Sequence, residues 1–184
     1  MNRQELRLAG SGGQGVILAT VILAEAAIIA GKHTAQSQAY GPEARGGSCK
    51  AETLISDEPI GFTKVQNPTF LMALTQKSLD EYGPGAGEDC LVLIDSGLQV
   101  PEGMKAKRIV SLPILNTARN EVGKLQTANI VAVGCINELV HITDGASMEK
   151  AVMMHIPRGT EKLNMKALEV GTALAQKWLE ENGK

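Results

Sequence analysis

The run Gly10-Ser11-Gly12-Gly13-Gln14-Gly15 follows the apolar stretch LRLA and precedes VILATVILAEAAIIA. Glycines in a Gly-x-Gly-x-x-Gly spacing let a backbone turn sharply and come close to a ligand. A helix starting behind them aims free N–H groups and a partial positive charge at that ligand. A phosphate, a carboxylate or another protein's backbone would suit the place. A turn that merely packs a helix onto a strand would use the same residues. A dinucleotide turn needs an acid about 20 residues further on for the ribose hydroxyls. The corresponding stretch, GKHTAQSQAY, has no Asp or Glu, and the next acid is Glu43. A P-loop is excluded, because no Gly-Lys-Ser/Thr follows.

A second unusual segment runs from Gly41 to Ser48, GPEARGGS, with Glu43 and Arg45 among three glycines and a proline. Arg45 followed by Gly46 and Gly47 puts a planar cation on bare, pliable backbone. Such a group can clamp a phosphate or carboxylate through its two-pronged fork, or it can be a solvated surface residue. Elsewhere the chemistry is sparse. His33, His141 and His155 have no metal-ligand spacing, and Cys49, Cys90 and Cys135 include no CxxC pair, so no metal site is expected. Nor is there a nucleophile elbow. Asp95 ends a buried strand, where it could belong to a site or cap a helix. No set of nucleophile, base and electrostatic stabiliser is present, and no catalytic residue is assigned.

The bulk composition narrows the function classes. A formal net charge of −2 and an aromatic content of 3% argue against nucleic acid as a partner, which asks for a basic patch or stacking rings. Few, scattered cysteines suit a reducing compartment, and the expected location is the cytoplasm. Val16–Ala30 is apolar but contains Glu25 and is shorter than the roughly 20 residues of a membrane span. Arg3, Arg7 and the AEA at 24–26 give it a signal-peptide look, but a strand pattern and four glycines intervene. No membrane partner is expected.

These segments need elements to hold them. ELRLAG reads as a short buried strand, and Gly13–Ala30 as a helix apolar nearly all round, closed by Gly31 and sandwiched between layers. HTAQSQAY alternates weakly, a second strand. CKAETLIS alternates clearly, with Cys49, Ala51, Thr53 and Ile55 on one face and Lys50, Glu52 and Leu54 on the other. PTFLMALTQKSLDEYG is expected to be one helix from Pro68 to Gly83. CLVLIDSG and KRIVSLP read as strands. The remainder reads as helices: one ending at Gly123, one capped by Thr127, one opened by Ser147 with Glu149 as helper, and a last one carrying Leu163, Ala167, Val170, Leu174 and Trp178 as a core-facing stripe. Strands alternating with helices imply an α/β fold with a parallel sheet and a helical C-terminal half. The glycine turn then lies at the carboxyl end of the first strand.

Taken together, GSGGQGV and, about 20 residues later, QSQAYGPEARGGSCKAE resemble the gamma subunit or gamma domain of the 2-oxoacid:ferredoxin oxidoreductases. The resemblance extends to TKVQNPTFLMALTQKSLD, LVLIDSGL and TANIVAVGCINEL, most of the chain. It implies one Rossmann-like three-layer α/β domain over residues 1–184, linked to coenzyme A binding and complex assembly. It also implies alpha and beta partner subunits, which carry thiamine diphosphate and Mg, and a ferredoxin-like delta subunit, with the 4Fe-4S clusters in partners as well. The complexes turn a 2-oxoacid and coenzyme A into acyl-CoA and carbon dioxide; the likeness is strongest to the 2-oxoglutarate type, with pyruvate and branched-chain substrates open. By motif, Gly12, Gly13, Gln14, Gly15, Arg45, Gly46 and Gly47 are the expected coenzyme A residues, with Gly41, Pro42 and Glu43 in the same second motif. A stand-alone adenine-nucleotide-binding regulatory domain is the competing expectation.

Overall fold

A computed structural model describes residues 3–40, 48–106 and 108–183, with Tyr40 described by its backbone alone. Its centre is a six-stranded sheet in the order β2-β3-β1-β4-β5-β6. The strands are β1 (Gln4–Ser11), β2 (His33–Tyr40), β3 (Ser48–Ser56), β4 (Phe70–Ala73), β5 (Leu91–Asp95) and β6 (Arg108–Leu112). β1, β4, β5 and β6 run parallel, while β3 lies antiparallel between β1 and β2. The mostly parallel α/β sheet is as expected.

The helices are α1 (Val16–Ile29), α2 (Gln76–Tyr82), α3 (Ile114–Thr117), α4 (Ala128–Val140), α5 (Gly145–His155) and α6 (Glu161–Asn182). Side chains alternate across the sheet. Leu6, Leu8, Ala51, Phe70, Met72, Leu93 and Val110 join α1, α4 and α6 in the main core. Leu71, Ala73, Val92 and Ile94 point the other way, toward Leu79 of α2. Helices therefore cover both faces, the thicker layer being the C-terminal one. α1 has a buried face from Val16 to Ala27, and its end is a Schellman turn: Gly31 N–H donates to Ile28 O and Lys32 N–H to Ala27 O, both at 2.9 Å, with Gly31 at φ 80°. The apolar run at 16–30 is thus a core helix, and no helix among the described residues is long and apolar enough to cross a membrane.

The structure corrects three sequence expectations. Pro68–Gly83 is not one helix: Phe70–Ala73 is the fully buried strand β4, and α2 starts only after Thr75. A short apolar run has no period that separates buried strand from buried helix. The break is set by Thr75 and Ser78, whose reciprocal capping box starts the helix there. α5 is capped by Asp144, not Ser147: the Asp144 carboxylate accepts from Ser147 N–H at 2.8 Å and Ser147 Oγ at 3.1 Å. Thr127 occupies the N-cap position of α4, but its hydroxyl donates back to Lys124 O and caps nothing. Trp178 packs against the main core as expected, with the Arg108 guanidinium 5.9 Å above its ring.

Candidate functional site

The glycine turn joins β1 to α1 at the carboxyl end of the parallel strands. It is braced from within: Ser11 N–H donates to Gln14 Oε1 at 2.7 Å, and Gln14 N–H donates to Ser11 O at 3.2 Å. The Gln14 side-chain carbonyl is therefore engaged inside the turn. The glycines divide by what surrounds them. A Cβ on Gly10 would fall 2.5 Å from Gln14 Oε1, so a side chain there would displace Gln14 from its hydrogen bond with Ser11. Gly15 is the N-cap of α1 at φ 71°, and a Cβ there would fall 2.5 Å from Asn129 Nδ2 of α4. Gly12 and Gly13 form the exposed tip, Gly13 at φ 94° with open space where a Cβ would stand. Two of the glycines thus serve the fold, and two leave bare backbone facing outward.

Behind that tip the first turn of α1 has neither a side-chain cap nor an acidic residue. Its leading amides and partial positive charge are left to whatever lies in front of them, the arrangement that binds phosphate in other folds.

Arg45, Gly46 and Gly47, with Gly41, Pro42 and Glu43, lie outside the described residues. The strands that flank them are described, and they end beside the glycine turn. Ser48 pairs with Ser11, Cys49 pairs with Gly10 on one side, and Tyr40 pairs with Cys49 on the other. Strand pairing thus brings both ends of the second motif to the first, although a whole helix and a strand separate them along the chain.

On the sheet face opposite α1, the same end carries a polar cluster in which Arg7 of β1 joins Ser37, Lys50 and Glu52 from the strands that flank the second loop. Glu52 is buried; it accepts from Arg7 Nε at 2.7 Å and Ser37 Oγ at 3.4 Å, and pairs with Lys50 Nζ at 3.2 Å. Burial pushes its carboxyl upward, but the hydrogen bonds and charges of Arg7 and Lys50 outweigh that and hold it below the usual Glu range. Arg7 Nη2 also donates to Val65 O at 3.3 Å. A cleft of about 310 Å³ opens beside the cluster, lined by Ser37, Ala39, Lys50, Glu52, Lys64 and Val65. Alternation in CKAETLIS marks Lys50 and Glu52 as one face, but only the position of β1 shows that Arg7 meets them.

Other candidates have structural roles. Asp95 is buried and acts as a cap: Oδ1 accepts from Gly97 N–H at 3.0 Å and Oδ2 from Leu115 N–H at 2.8 Å. The three cysteines are buried and free. Burial pushes Cys90 up to about 11 and Cys135 up to about 12, so both stay protonated and poorly nucleophilic at neutral pH. A cavity of about 720 Å³ lies between α4, α5 and α6 and is lined by Glu138, Glu149 and Glu169 with no Lys or Arg. It repels anions, and it lies at the far end of α4 from Asn129, about 12 Å along the axis at 1.5 Å per residue.

Residues 5–174 match the family model described as pyruvate ferredoxin/flavodoxin oxidoreductase. The chain belongs to this family. Among family relatives, a 2-oxoglutarate synthase subunit KorC from Methanocaldococcus jannaschii is 42% identical over 177 residues, covering 95% of each chain. A ketoisovalerate oxidoreductase subunit VorA from Methanothermobacter thermautotrophicus is 36% identical over 181 residues, covering 96% of this chain and 36% of that one. In structure, the chain is similar to the gamma subunit of a keto/oxoacid ferredoxin oxidoreductase from Geobacter sulfurreducens, at 41% identity and a TM-score of 0.84, covering 96% of this chain and 98% of the other.

Proposed function

We propose that this chain is the gamma subunit of a 2-oxoacid:ferredoxin oxidoreductase, acting on 2-oxoglutarate, and that it contributes coenzyme A binding and subunit assembly. The observation that carries the reading is the pairing of Ser48 with Ser11, which sets the ends of the Arg45 segment beside the uncapped start of α1. Coenzyme A carries a pyrophosphate and a ribose 3′-phosphate. The amides at Gly12, Gly13 and the first turn of α1 suit one phosphate group, and Arg45 suits another. Gly46 and Gly47 leave room for backbone approach, and Gln14 and Gly15 hold the turn in shape. The full-length likeness to the KorC relative supports 2-oxoglutarate over other 2-oxoacids.

In this reading the alpha and beta subunits bring thiamine diphosphate and Mg, and the delta subunit and its partners bring the 4Fe-4S clusters. The 2-oxoacid loses carbon dioxide, its acyl carbon passes to the coenzyme A thiol, and two electrons leave to ferredoxin. This chain holds the coenzyme rather than the reacting carbon. It functions as a single domain over residues 1–184, in the cytoplasm.

The test is purification of the tagged chain from its own cells, with assay of 2-oxoglutarate- and coenzyme A-dependent viologen reduction. Co-eluting subunits with that activity support the reading. A chain that elutes alone and binds an adenine nucleotide overturns it in favour of a regulatory domain. In the assembled enzyme, Arg45→Ala is expected to raise the KM for coenzyme A about tenfold or more, the worth of one charge-assisted phosphate contact. An unchanged KM removes Arg45 from the site.

A further inference from the structure

The cavity of about 720 Å³ between α4, α5 and α6 is an open groove with helices for walls. α6 gives it one stripe from Met165 to Gln176, at spacings of three and four residues and about 16 Å long at 1.5 Å per residue. α5 gives Met148 and Glu149 from its first half, and α4 gives Asn137 and Glu138 from its last turn. Met148 and Leu168 are buried at the base, and Met165 packs against the same core. Each wall carries one carboxylate: Glu138, Glu149 and Glu169. Among the described residues none of the three makes a hydrogen bond or ion pair. Glu149 is not used by the cap of α5, which Asp144 and Ser147 complete. The lining holds one imidazole, His141, and no Lys or Arg, while Lys166 of α6 donates to Glu121 O instead. α4 ends at His141 with no basic residue in its last turn, so the negative pole of that helix adds to the carboxylates. Thr143 Oγ1, also on the groove, is buried without a hydrogen-bond partner among the described residues.

The groove thus joins an apolar base to a negative rim that the chain itself does not neutralise. We infer that it docks a basic amphipathic helix of a partner polypeptide. Charge complementarity selects Lys and Arg. An acidic segment would meet three carboxylates and a negative helix pole, and a purely apolar one would cover those carboxylates without pairing them. A small cation gains little here, because an exposed ion pair is screened and contributes little by itself. An occupant that stays needs apolar contact as well, and the methionines at the base adapt to it. The backbone selects a helix. The walls are helices whose amides bond internally, so they offer no sheet edge to an extended strand. A helix satisfies its own backbone and lays apolar residues, three and four apart, over Met148, Met165 and Leu168. Its Lys and Arg then reach Glu138, Glu149 and Glu169, and one of their N–H groups can serve Thr143 Oγ1.

The inference rests on the assembly part of the proposed function and not on coenzyme A binding. Gln176→Cys, at the exposed end of the α6 stripe, is labelled with maleimide-benzophenone in the gently purified tagged complex, the three native cysteines of this chain being buried. Irradiation is expected to join it to a partner polypeptide, within a peptide that carries several Lys or Arg and apolar residues three and four apart. Glu138→Gln, Glu149→Gln and Glu169→Gln combined are expected to cut the cross-link yield about tenfold, three weak ion pairs taken together. No bond within the chain is lost, so the free variant is expected to melt no lower than the unmodified chain, which shows that it folds. Co-eluting subunits with no cross-link overturn the inference and leave the assembly reading standing; a chain that elutes alone overturns both. A cross-linked peptide without Lys or Arg, a yield that the combined variant leaves unchanged, or a cross-link to a second copy of this chain also overturns it. So does a groove that stays uncross-linked while spermine alone raises the melting temperature of the free chain, which would assign it to a small polyamine.

Discussion

Gly13 and Gly15 look alike in the sequence, and their neighbours make them different. Both have positive φ, which costs an alanine about 1–2 kcal/mol. At Gly13 nothing else is in the way; at Gly15 the new methyl also meets Asn129. Gly13→Ala is therefore expected to destabilise by about 1 kcal/mol and Gly15→Ala by about 3 kcal/mol, read from urea unfolding midpoints at constant m. Equal losses would show that Asn129 moves aside freely. Glu52 gives a pH prediction. Its folded carboxyl titrates below the unfolded value of about 4.3, so its contribution is complete above that pH and fades as the pH falls through it toward the folded value. Glu52→Gln is expected to lower stability by about 2 kcal/mol at pH 7, by leaving Arg7 without its carboxylate, and to flatten the loss of stability below about pH 5. An unchanged acid limb in the variant would assign that limb to other carboxylates. The alternation in CKAETLIS shows the face on which Glu52 lies; its burial is not legible there, because Arg7 is 45 residues away in the chain.

Among the elements, α4 and α6 approach through two glycines. A Cβ on Gly171 would strike the Val131 backbone, with Val131 Cα at 3.0 Å, and one on Gly134 would strike the backbone at Leu168, with Thr172 N at 2.8 Å. In an exposed helix, Gly→Ala gains about 1 kcal/mol from propensity. Here Gly171→Ala is expected to lose about 3 kcal/mol, because two backbones must separate; a gain on thermal unfolding would contradict the close crossing. The elements themselves are readable where the signal is local: the glycine that closes α1, the proline that stops β6, the apolar run of β5. β4 is not, since four buried residues carry no period of their own and their pairing with Leu6–Ala9 is what makes them a strand.

For the molecule as a whole, the described residues show no set of reacting groups: the Asp95 carboxylate is taken up in capping, the Cys90 and Cys135 thiols are protonated, and no cluster of His, Cys, Asp and Glu could hold a metal. The purified chain alone is expected to reduce no viologen with any 2-oxoacid, and to gain that activity only with its partner subunits; turnover by the single chain would place catalytic groups in it. Chain order was enough to reveal the family, through two motifs in succession, and the α/β class, through alternating periods that depend only on near neighbours. Three things needed the folded chain: which glycines are free and which are packed, the burial of Glu52 against Arg7, and the pairing that sets the strands flanking the second motif beside the first. Those are contacts between residues tens of positions apart, and their energies depend on distances that no local pattern encodes.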